Sequence, residues 1–398
     1  DYLSLLKEKN LPLNIASLVG YGAVRFAVTG LENRPLTRKE QDKVEALLKE
    51  SFQQGAVGLS LGLPYPPCSF ASDEELSLAA KLAARGGGYL ACHMRSEGDE
   101  VLESLQELIG IARMAEVRLE ISHLKTYGPS NWHKTDILLE MVEKASEVIE
   151  INFDQYPYTA GSTGLLSLLP PWALEGGIEE TIKRLRDRSG QKKIVRDMEK
   201  GIKGWENYAR LMGWENILLL SRDKEVDGRS IAELAEIRAQ EPPTVVCEIV
   251  MKERGDTGIL LFGMNEESLR KILRHKRGMV GTDGLYFGRP HPRTFGTCPR
   301  ILEKYVRQEN VISLEEAVRK MSALPARKAG FKERGMIKEG WYADLTIFDF
   351  QKIREKTTYQ NPFLCPEGFK AVLVNGRVAL EDGRLKKYSA GKVLLPCP

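Results

Sequence analysis

The sequence predicts an α/β protein in which parallel strands form most of a (β/α)8 barrel, followed by part of a small β-sandwich. Three observations lead to this prediction. Short apolar runs alternate with helical patterns of the length expected for βα units. Several of these runs end in side chains of metal-ligand type, at the strand ends where a barrel collects its site residues. After Gly335 the pattern changes to short strands separated by tight turns.

Six barrel strands are predicted, whereas a closed parallel barrel has eight. The helices between them have recognisable ends. Thr37 and Ser72 each precede a glutamate by three positions, a capping-box pattern, and Gly55 follows the first of these helices as a stop signal. The predicted strands lie near residues 13–19, 56–61, 88–93, 117–123, 148–154 and 278–283.

Two segments depart from this alternation. Residues 165–224 are charged and contain tryptophan, and they predict a helical insertion in the barrel. In the C-terminal part, Asn375-Gly376 lies between two alternating apolar runs, which is a strong hairpin signal. We therefore predict a partial barrel over residues 1–334 and a β-sandwich segment over residues 335–398.

Composition excludes several classes of function. The chain has 398 residues, 58 of them basic and 55 acidic, and no basic stripe, so a nucleic-acid partner is not indicated. No apolar run is long enough to span a membrane. The six cysteines form no C-x-x-C pair, which favours reduced thiols and a cytoplasmic protein. Cys92 is expected to pack away from His93, because neighbours on a strand point to opposite faces.

Two histidines and an aspartate are the main candidates for chemistry. His93 and His123 close successive predicted strands, and Asp283 closes the last one. Imidazole and carboxylate ligands with an open coordination position suit a catalytic zinc ion. Such an ion acidifies water, and a nearby carboxylate can carry the proton to a leaving group. A histidine at a strand end is also often a hydrogen-bonded structural residue, so the pattern alone leaves metal binding and packing as equal alternatives.

A series of segments in fixed order adds a family resemblance along nearly the whole chain. They are GLSLGLPYPP (58–67), HMRSE (93–97), ISHLK (121–125), DQYPYTAGST (154–163), GTDG (281–284), RPHPR (289–293) and GMIKEGWYADLTIFD (335–349). Together they resemble the N-acyl-D-amino-acid deacylase (D-aminoacylase) family of the amidohydrolase superfamily. The resemblance implies a TIM-like, metal-dependent hydrolase barrel.

The resemblance also implies roles for individual residues. His93 and His123 match metal ligands, and Asp283 matches the general base, which is also a ligand where a second metal is bound. The implied cofactor is one tightly bound zinc ion, and a second, weak site stays open. Arginine suits a substrate carboxylate, because its planar fork pairs with both oxygens. The residues implied to line the substrate are Lys125, Tyr156, Ser162 and Arg293, with Tyr65 bordering the pocket.

Each of these residues could instead have a purely structural role. Lys125 would otherwise be read as an exposed loop lysine, and Tyr156 as an ordinary core residue. We predict surface positions for His133 and His275 and assign no role to His291. The chain departs from the family in having no H-x-H motif, which family members carry on their first barrel strand. We therefore expect the N-terminal part of the family pattern to be missing from this sequence.

The predicted function is zinc-dependent hydrolysis of the amide bond of a small-molecule N-acyl-D-amino acid, giving a carboxylate and a free D-amino acid. Two alternatives stay open. The first is a cyclic-amide amidohydrolase of hydantoinase or dihydroorotase type. The second is an inactive, truncated chain that needs its N-terminal part. The preferred side chain, the acyl group and the oligomeric state are not predicted.

Overall fold

The structure is a computed structural model that describes residues 2–286, 288–387 and 389–396. Its strands in chain order are β1 (Leu18–Gly20), β2 (Gly58–Gly62), β3 (Tyr89–His93), β4 (Arg118–Ile121), β5 (Ile151–Gln155), β6 (Gly161–Gly164), β7 (Ile217–Leu220), β8 (Gly258–Leu261), β9 (Gly278–Val280), β10 (Leu345–Phe348), β11 (Phe369–Val374), β12 (Arg377–Glu381) and β13 (Arg384–Leu385). The central sheet has six strands in the order β1-β2-β3-β4-β5-β9. Every neighbouring pair in it is parallel, as repeated βα units require.

All the predicted barrel strands lie in this sheet, although some of their ends differ from the prediction. The strand predicted at 13–19 begins at Leu18, because Ile15 instead forms a single parallel bridge to Val393. The strand predicted to reach Asp283 stops before it. Within the part of the chain that the structure describes, the sheet is open, with β1 and β9 at its edges. The parallel barrel-type sheet is thus confirmed, but it is not closed.

Helices connect the strands, and their ends follow the predicted signals. The Thr37 side chain accepts a hydrogen bond from the Glu40 N–H, and the Glu40 side chain accepts one from the Thr37 N–H, which confirms the capping box. Gly55 ends that helix in the left-handed region with a φ of 112°. Ser72 likewise caps its helix, accepting from the N–H of Glu75. No helix within the described ranges is long and apolar enough to cross a membrane.

The helices are short to medium in length, and one of them continues as a π-helix. They are α1 (Tyr2–Lys7), α2 (Tyr21–Thr29), α3 (Arg38–Gln54), α4 (Asp73–Arg85), α5 (Val101–Ala115), α6 (Thr135–Ala145), α7 (Ile178–Arg186), α8 (Arg188–Lys200), α9 (Tyr208–Met212), α10 (Ile231–Arg238), α11 (Pro242–Glu253), α12 (Glu266–Arg274), α13 (Arg293–Arg300), α14 (Leu314–Met321) and α15 (Ala323–Lys328). After α13 the chain continues as a π-helix over Ile301–Gln308.

The main core lies between the central sheet and helices α3 to α6. Leu59, Leu90 and Leu119 come from three neighbouring strands and are fully buried in it. Each buried leucine contributes about 1.5–3 kcal/mol relative to an exposed one. Cys92 also lies in this core with no exposed surface. The alternation along β3 therefore directs Cys92 towards the helices and leaves His93 at the other face.

The predicted helical insertion contains helices and also a sheet that the sequence pattern did not indicate. Strands β6, β8 and β7 form a three-stranded antiparallel sheet in that order. Only β7 falls inside the predicted 165–224 range; β6 precedes it and β8 follows it. A short apolar run such as 217–220 reads equally well as strand or buried helix until its pairing partners are known. Helices α7 to α11 pack with this sheet around a second hydrophobic core.

The C-terminal part forms a four-stranded antiparallel sheet in the order β10-β11-β12-β13. Asn375 and Gly376 form the predicted hairpin turn, with φ of 49° and 80°, the positive values that a type I′ turn requires. Asn14 donates a hydrogen bond of 3.1 Å to Asp344 in this part. The division of the chain into domains at residues 334 and 335 stays a prediction.

Candidate metal centre and active site

Two histidines meet at the carboxyl edge of the central sheet. His93 is the last residue of β3, and His123 follows β4 in a turn where its φ is 41°. The backbone N–H of His123 donates to Asp154 Oδ1 at 2.9 Å, which holds this strained turn against β5. The two imidazole rings are edge to face, with 4.4 Å between their centroids. The structure therefore brings both predicted metal ligands to one place.

Glu97 joins the histidines and was not predicted as a site residue. Its Oε1 lies 3.0 Å from His123 Nδ1, and its Oε2 lies 3.6 Å from His93 Nε2. Ligand-type atoms of these three residues all lie within 4.8 Å of one another. We call this group the His–Glu–His cluster. Its only sequence signal was the matched segment 93–97, since Glu97 lies in a loop and ends no strand.

Lys125 is buried beside this cluster. Its Nζ lies 2.6 Å from Glu97 Oε1 and 2.6 Å from His123 Nδ1. The side chain is only 4% exposed, so the interpretation of Lys125 as an exposed loop lysine is wrong. His123 Nδ1 also lies 3.0 Å from Glu97 Oε1, so whether it accepts from the ammonium group or donates to the carboxylate depends on the tautomer of the ring.

Burial keeps both imidazoles neutral. Desolvation lowers the pKa of His93 to about 3, although the negative charge of Glu97 opposes it. Desolvation, followed by the positive charge of Lys125, lowers the pKa of His123 to about 3 as well. A neutral imidazole is the form that donates a lone pair to a metal. The two rings are therefore in the ligand form across the physiological pH range.

These residues fit a divalent ion such as zinc. Two neutral imidazoles and one carboxylate form a donor set that zinc sites commonly use. His93 Nε2 is buried and has no hydrogen-bond partner among the described residues. A buried polar atom without a partner costs free energy, and a metal ion would supply the partner.

Two further carboxyl groups, the buried Glu206 and the half-buried Asp154, hydrogen-bond to the backbone beside the cluster, and neither was predicted. Glu206 Oε2 accepts hydrogen bonds from the backbone N–H groups of Glu97 and Gly98. Burial, with the nearby charge of Glu97, raises the pKa of Glu206 to about 7. Burial likewise raises the pKa of Asp154 to about 6. These groups hold the backbone of Glu97 and of His123 in place.

Asp283 pairs with Arg293 and lies outside the His–Glu–His cluster. Its Oδ2 is 2.8 Å from Arg293 Nη2, and its φ of 45° lies in the left-handed region. Arg293 is only 1% exposed, and its guanidinium stacks over the ring of Tyr156 at 4.4 Å. The role of Asp283 as a metal ligand therefore stays a prediction, and the structure shows this carboxylate as the counter-ion of a buried arginine.

The remaining histidines differ partly from the sequence prediction. His291, to which no role was assigned, is 3% exposed. Its Nε2 is 3.0 Å from the carbonyl oxygen of Ala160, and its Nδ1 accepts from the backbone N–H of Arg293 at 2.9 Å. It therefore positions Arg293. His275, predicted at the surface, is half-buried because it packs on Phe153 with 5.3 Å between ring centroids. His133 is exposed, as predicted.

All the residues predicted to form the site line one cavity of about 210 Å³. We call it the active-site cavity. Glu97, Tyr127, Thr163, Tyr208, Leu261 and Leu285 also contribute to its wall. The predicted residues that line it are Tyr65, His93, His123, Lys125, Tyr156, Ser162, Asp283 and Arg293.

The comparison with known families decides the class of the protein. The model of the amidohydrolase family matches residues 35–380. The chain belongs to the amidohydrolase family. The structure of this amidohydrolase agrees with that assignment in its parallel sheet and in the position of the His–Glu–His cluster at the sheet's carboxyl edge. This family hydrolyses amide bonds. The match of its sequence model confirms the resemblance that the sequence segments indicated.

Individual relatives are deacylases. The amidohydrolase is 31% identical over 395 residues to a D-aminoacylase of Alcaligenes xylosoxydans xylosoxydans, covering 99% of this chain and 72% of that one. It is also 31% identical, over 399 residues, to the N-acyl-D-aspartate deacylase of the same organism, covering 100% and 71%. The crystal structure of N-acyl-D-glutamate deacylase from Bordetella bronchiseptica, complexed with zinc and a phosphonate inhibitor, superposes with a TM-score of 0.83 at 29% identity, covering 99% and 74%.

Proposed function

We propose that this amidohydrolase hydrolyses the amide bond of N-acyl-D-amino acids, releasing a carboxylate and a free D-amino acid, with zinc as its metal. The observation that supports this most is that one cavity is lined both by the His–Glu–His cluster and by the Asp283–Arg293 pair. Hydrolysis of an acylated amino acid requires a metal ion near the scissile amide and a cationic group that binds the substrate carboxylate. The deacylase names of the relatives agree with this substrate class.

His93, His123 and Glu97 would hold the metal ion. When bound, a divalent ion supplies Lewis acidity at the scissile carbonyl and lowers the pKa of water. Because the cluster offers three ligands within 4.8 Å, we propose that it binds one metal ion tightly. Asp283 would be a ligand of a second, weakly bound ion. Lys125 neutralises part of the charge of Glu97 and fixes the orientation of the His123 ring.

Arg293 is proposed to bind the substrate carboxylate. Its Nε is buried and has no hydrogen-bond partner within the described ranges, so the guanidinium retains a free donor beside the one that it shares with Asp283. Stacking on Tyr156 fixes the plane of the fork. A fixed fork gives up less entropy when it pairs with a carboxylate than a flexible lysine would.

Asp283 is proposed as the group that moves the proton. Its side chain is 31% exposed and faces the active-site cavity, so its carboxylate oxygens can reach both water and substrate. It accepts the proton of the attacking water at Oδ1 and returns it to the leaving nitrogen. Arg293 holds Oδ2, which leaves Oδ1 as the acceptor. Ser162 and Tyr65 line the substrate on either side of this path.

A substrate panel tests the proposal on the 398-residue protein. N-acetyl-D-amino acids, their L-isomers and cyclic ureides are assayed before chelation, after chelation and after zinc is added back. We expect release of acetate and amine from the D-isomers only, loss of turnover on chelation and recovery with zinc. Turnover of cyclic ureides without linear substrates would instead assign the cyclic-amide reaction. No turnover of any acylated D-amino acid by the zinc-loaded protein would contradict the proposal.

A further inference from the structure

A second cavity lies beside the active-site cavity, and the proposed reaction does not yet use it. Its volume is about 260 Å³, and its wall is mainly aliphatic and aromatic: Leu31, Leu63, Leu166, Leu174, Ile178 and Trp205 contribute to it. We call it the apolar cavity. It forms where the loop after β2 meets the helical turns of the inserted segment. Leu31 closes it from a third side, and the Leu31 carbonyl is fixed by a 3.2 Å hydrogen bond from the N–H of Gly176.

The apolar cavity adjoins the reaction centre. Tyr65, Thr163 and Tyr208 line both cavities. The Tyr65 hydroxyl and Thr163 Oγ1 are 3.1 Å apart, so this pair forms the partition between them. The ring of Tyr65 also lies edge-on to His93, with 5.2 Å between the centroids. A group that leaves the metal-binding cluster past Tyr65 therefore enters an apolar space.

In the proposed reaction, the amino-acid half of the bound substrate extends in another direction. Arg293 and Ser162 line the active-site cavity together with a third cavity of about 500 Å³, to which Arg289 also contributes. Neither Arg293 nor Ser162 is among the residues that line the apolar cavity in the described part of the chain. The two halves of an acylated amino acid thus meet different environments. One side of the cluster holds Arg293 and Arg289, each paired with an aspartate, and the other side is mainly apolar.

Charge in the apolar cavity does not favour an anionic occupant. Arg95 lies at its wall but is paired with Glu107 at 2.8 Å. Glu206 also lies there, and its Oε2 already accepts a hydrogen bond of 3.3 Å from the N–H of Gly98. The guanidinium is thus neutralised within the protein, and the carboxylate would repel a second carboxylate at the end of an acyl group. An uncharged aliphatic or aromatic chain is the group that this wall can desolvate without loss.

We propose that the apolar cavity binds the acyl chain, so that the enzyme prefers N-acyl-D-amino acids with long, uncharged acyl groups over N-acetyl ones; this rests on the proposed deacylase function. Each methylene that enters the cavity leaves water, which is worth about a fourfold gain in kcat/KM. The gain continues until the cavity is filled. An acetyl group has no methylene that could enter the cavity, so it gains nothing from it.

A chain-length series on the zinc-loaded, 398-residue protein tests this. Acetyl, hexanoyl and decanoyl derivatives of one D-amino acid are compared in wild type, Leu174→Trp and Leu31→Trp. We expect kcat/KM to rise by about fourfold per methylene in wild type. Both variants fill the cavity and should flatten this rise while leaving turnover of the acetyl substrate unchanged. Leu47→Trp is the matched control, because Leu47 lies on the exposed surface of α3, and it should behave as wild type.

Calorimetric titration with sodium acetate, hexanoate and decanoate gives a second readout that needs no turnover. Affinity should increase with chain length in wild type and in Leu47→Trp. A flat series in wild type by both readouts overturns the acyl-chain assignment, and so does a steep series that both filling variants keep. Length-dependent binding without turnover of any acylated D-amino acid would instead overturn the proposed function and leave an apolar binding cavity. Turnover of acetyl substrates with a flat series would overturn only the present inference.

Discussion

Glu97→Gln is the substitution that most directly tests the His–Glu–His cluster. Glu97 is the shared partner of Lys125, at 2.6 Å, and of His123, at 3.0 Å. The side chains of Glu97 and Lys125 are only 2% and 4% exposed. Water therefore cannot solvate the ammonium group of Lys125 after the charge of Glu97 is removed. Glutamine has nearly the same shape as glutamate, and the substitution therefore removes charge with little change in packing.

The expected cost follows from this burial. Removing one partner of a buried ion pair destabilises a protein by about 3–5 kcal/mol, because the other charge stays buried without compensation. The glutamine carbonyl can still accept from Lys125, so we expect the lower end, about 3 kcal/mol. Lys125→Met removes the stranded charge. The double variant should therefore be more stable than the sum of the single costs by about 0.5–3 kcal/mol.

Urea unfolding in the presence of a chelator measures these costs without a contribution from bound metal. Glu107→Gln is the matched control, since Glu107 pairs with Arg95 at 2.8 Å but the two side chains are 20% and 23% exposed. We expect it to cost about 1 kcal/mol or less. Equal costs for Glu97→Gln and Glu107→Gln, or an additive double variant, would refute the reasoning. Equilibrium dialysis with zinc should show weaker binding to Glu97→Gln as well.

Four further outcomes are expected. Asp283→Asn should lower kcat by roughly 10²–10⁴-fold, because it keeps the shape but removes the base; near-normal kcat would exclude that role. Arg293→Ala should mainly raise KM in steady-state kinetics, since uniform binding of the substrate carboxylate is lost. His93→Ala and His123→Ala should each lose zinc by elemental analysis, and full metal content in the double variant would contradict the cluster. Burial lowers the pKa of Lys320 from 10.5 to about 8. The unfolded chain therefore binds more protons between these values, and wild type should gain stability over Lys320→Met as pH rises, by up to about 1.4 kcal/mol per pH unit in urea unfolding.

Local patterns were sufficient for most elements of the fold. Capping residues such as Thr37 act within one turn of their own helix, and the Asn375-Gly376 turn acts within its own hairpin. Apolar runs alternating with helical patterns likewise predicted the six parallel strands. The sheet of the inserted segment was missed because β7 (Ile217–Leu220) has a partner far along the chain, and its four apolar residues carry no period that distinguishes strand from helix.

The sequence by itself determined where the candidate site lies, since His93 and His123 end or follow neighbouring parallel strands, whose carboxyl ends share one edge of the sheet. Only the tertiary structure decided how their charges are partnered. Glu206 accepts a hydrogen bond from the backbone N–H of Glu97, which lies 109 residues away in the sequence. No local sequence pattern predicts such a contact. The pairing of Asp283 with Arg293, and the apolar cavity behind Tyr65, likewise depend on loops from separate elements meeting in space, where burial makes each unpaired charge costly.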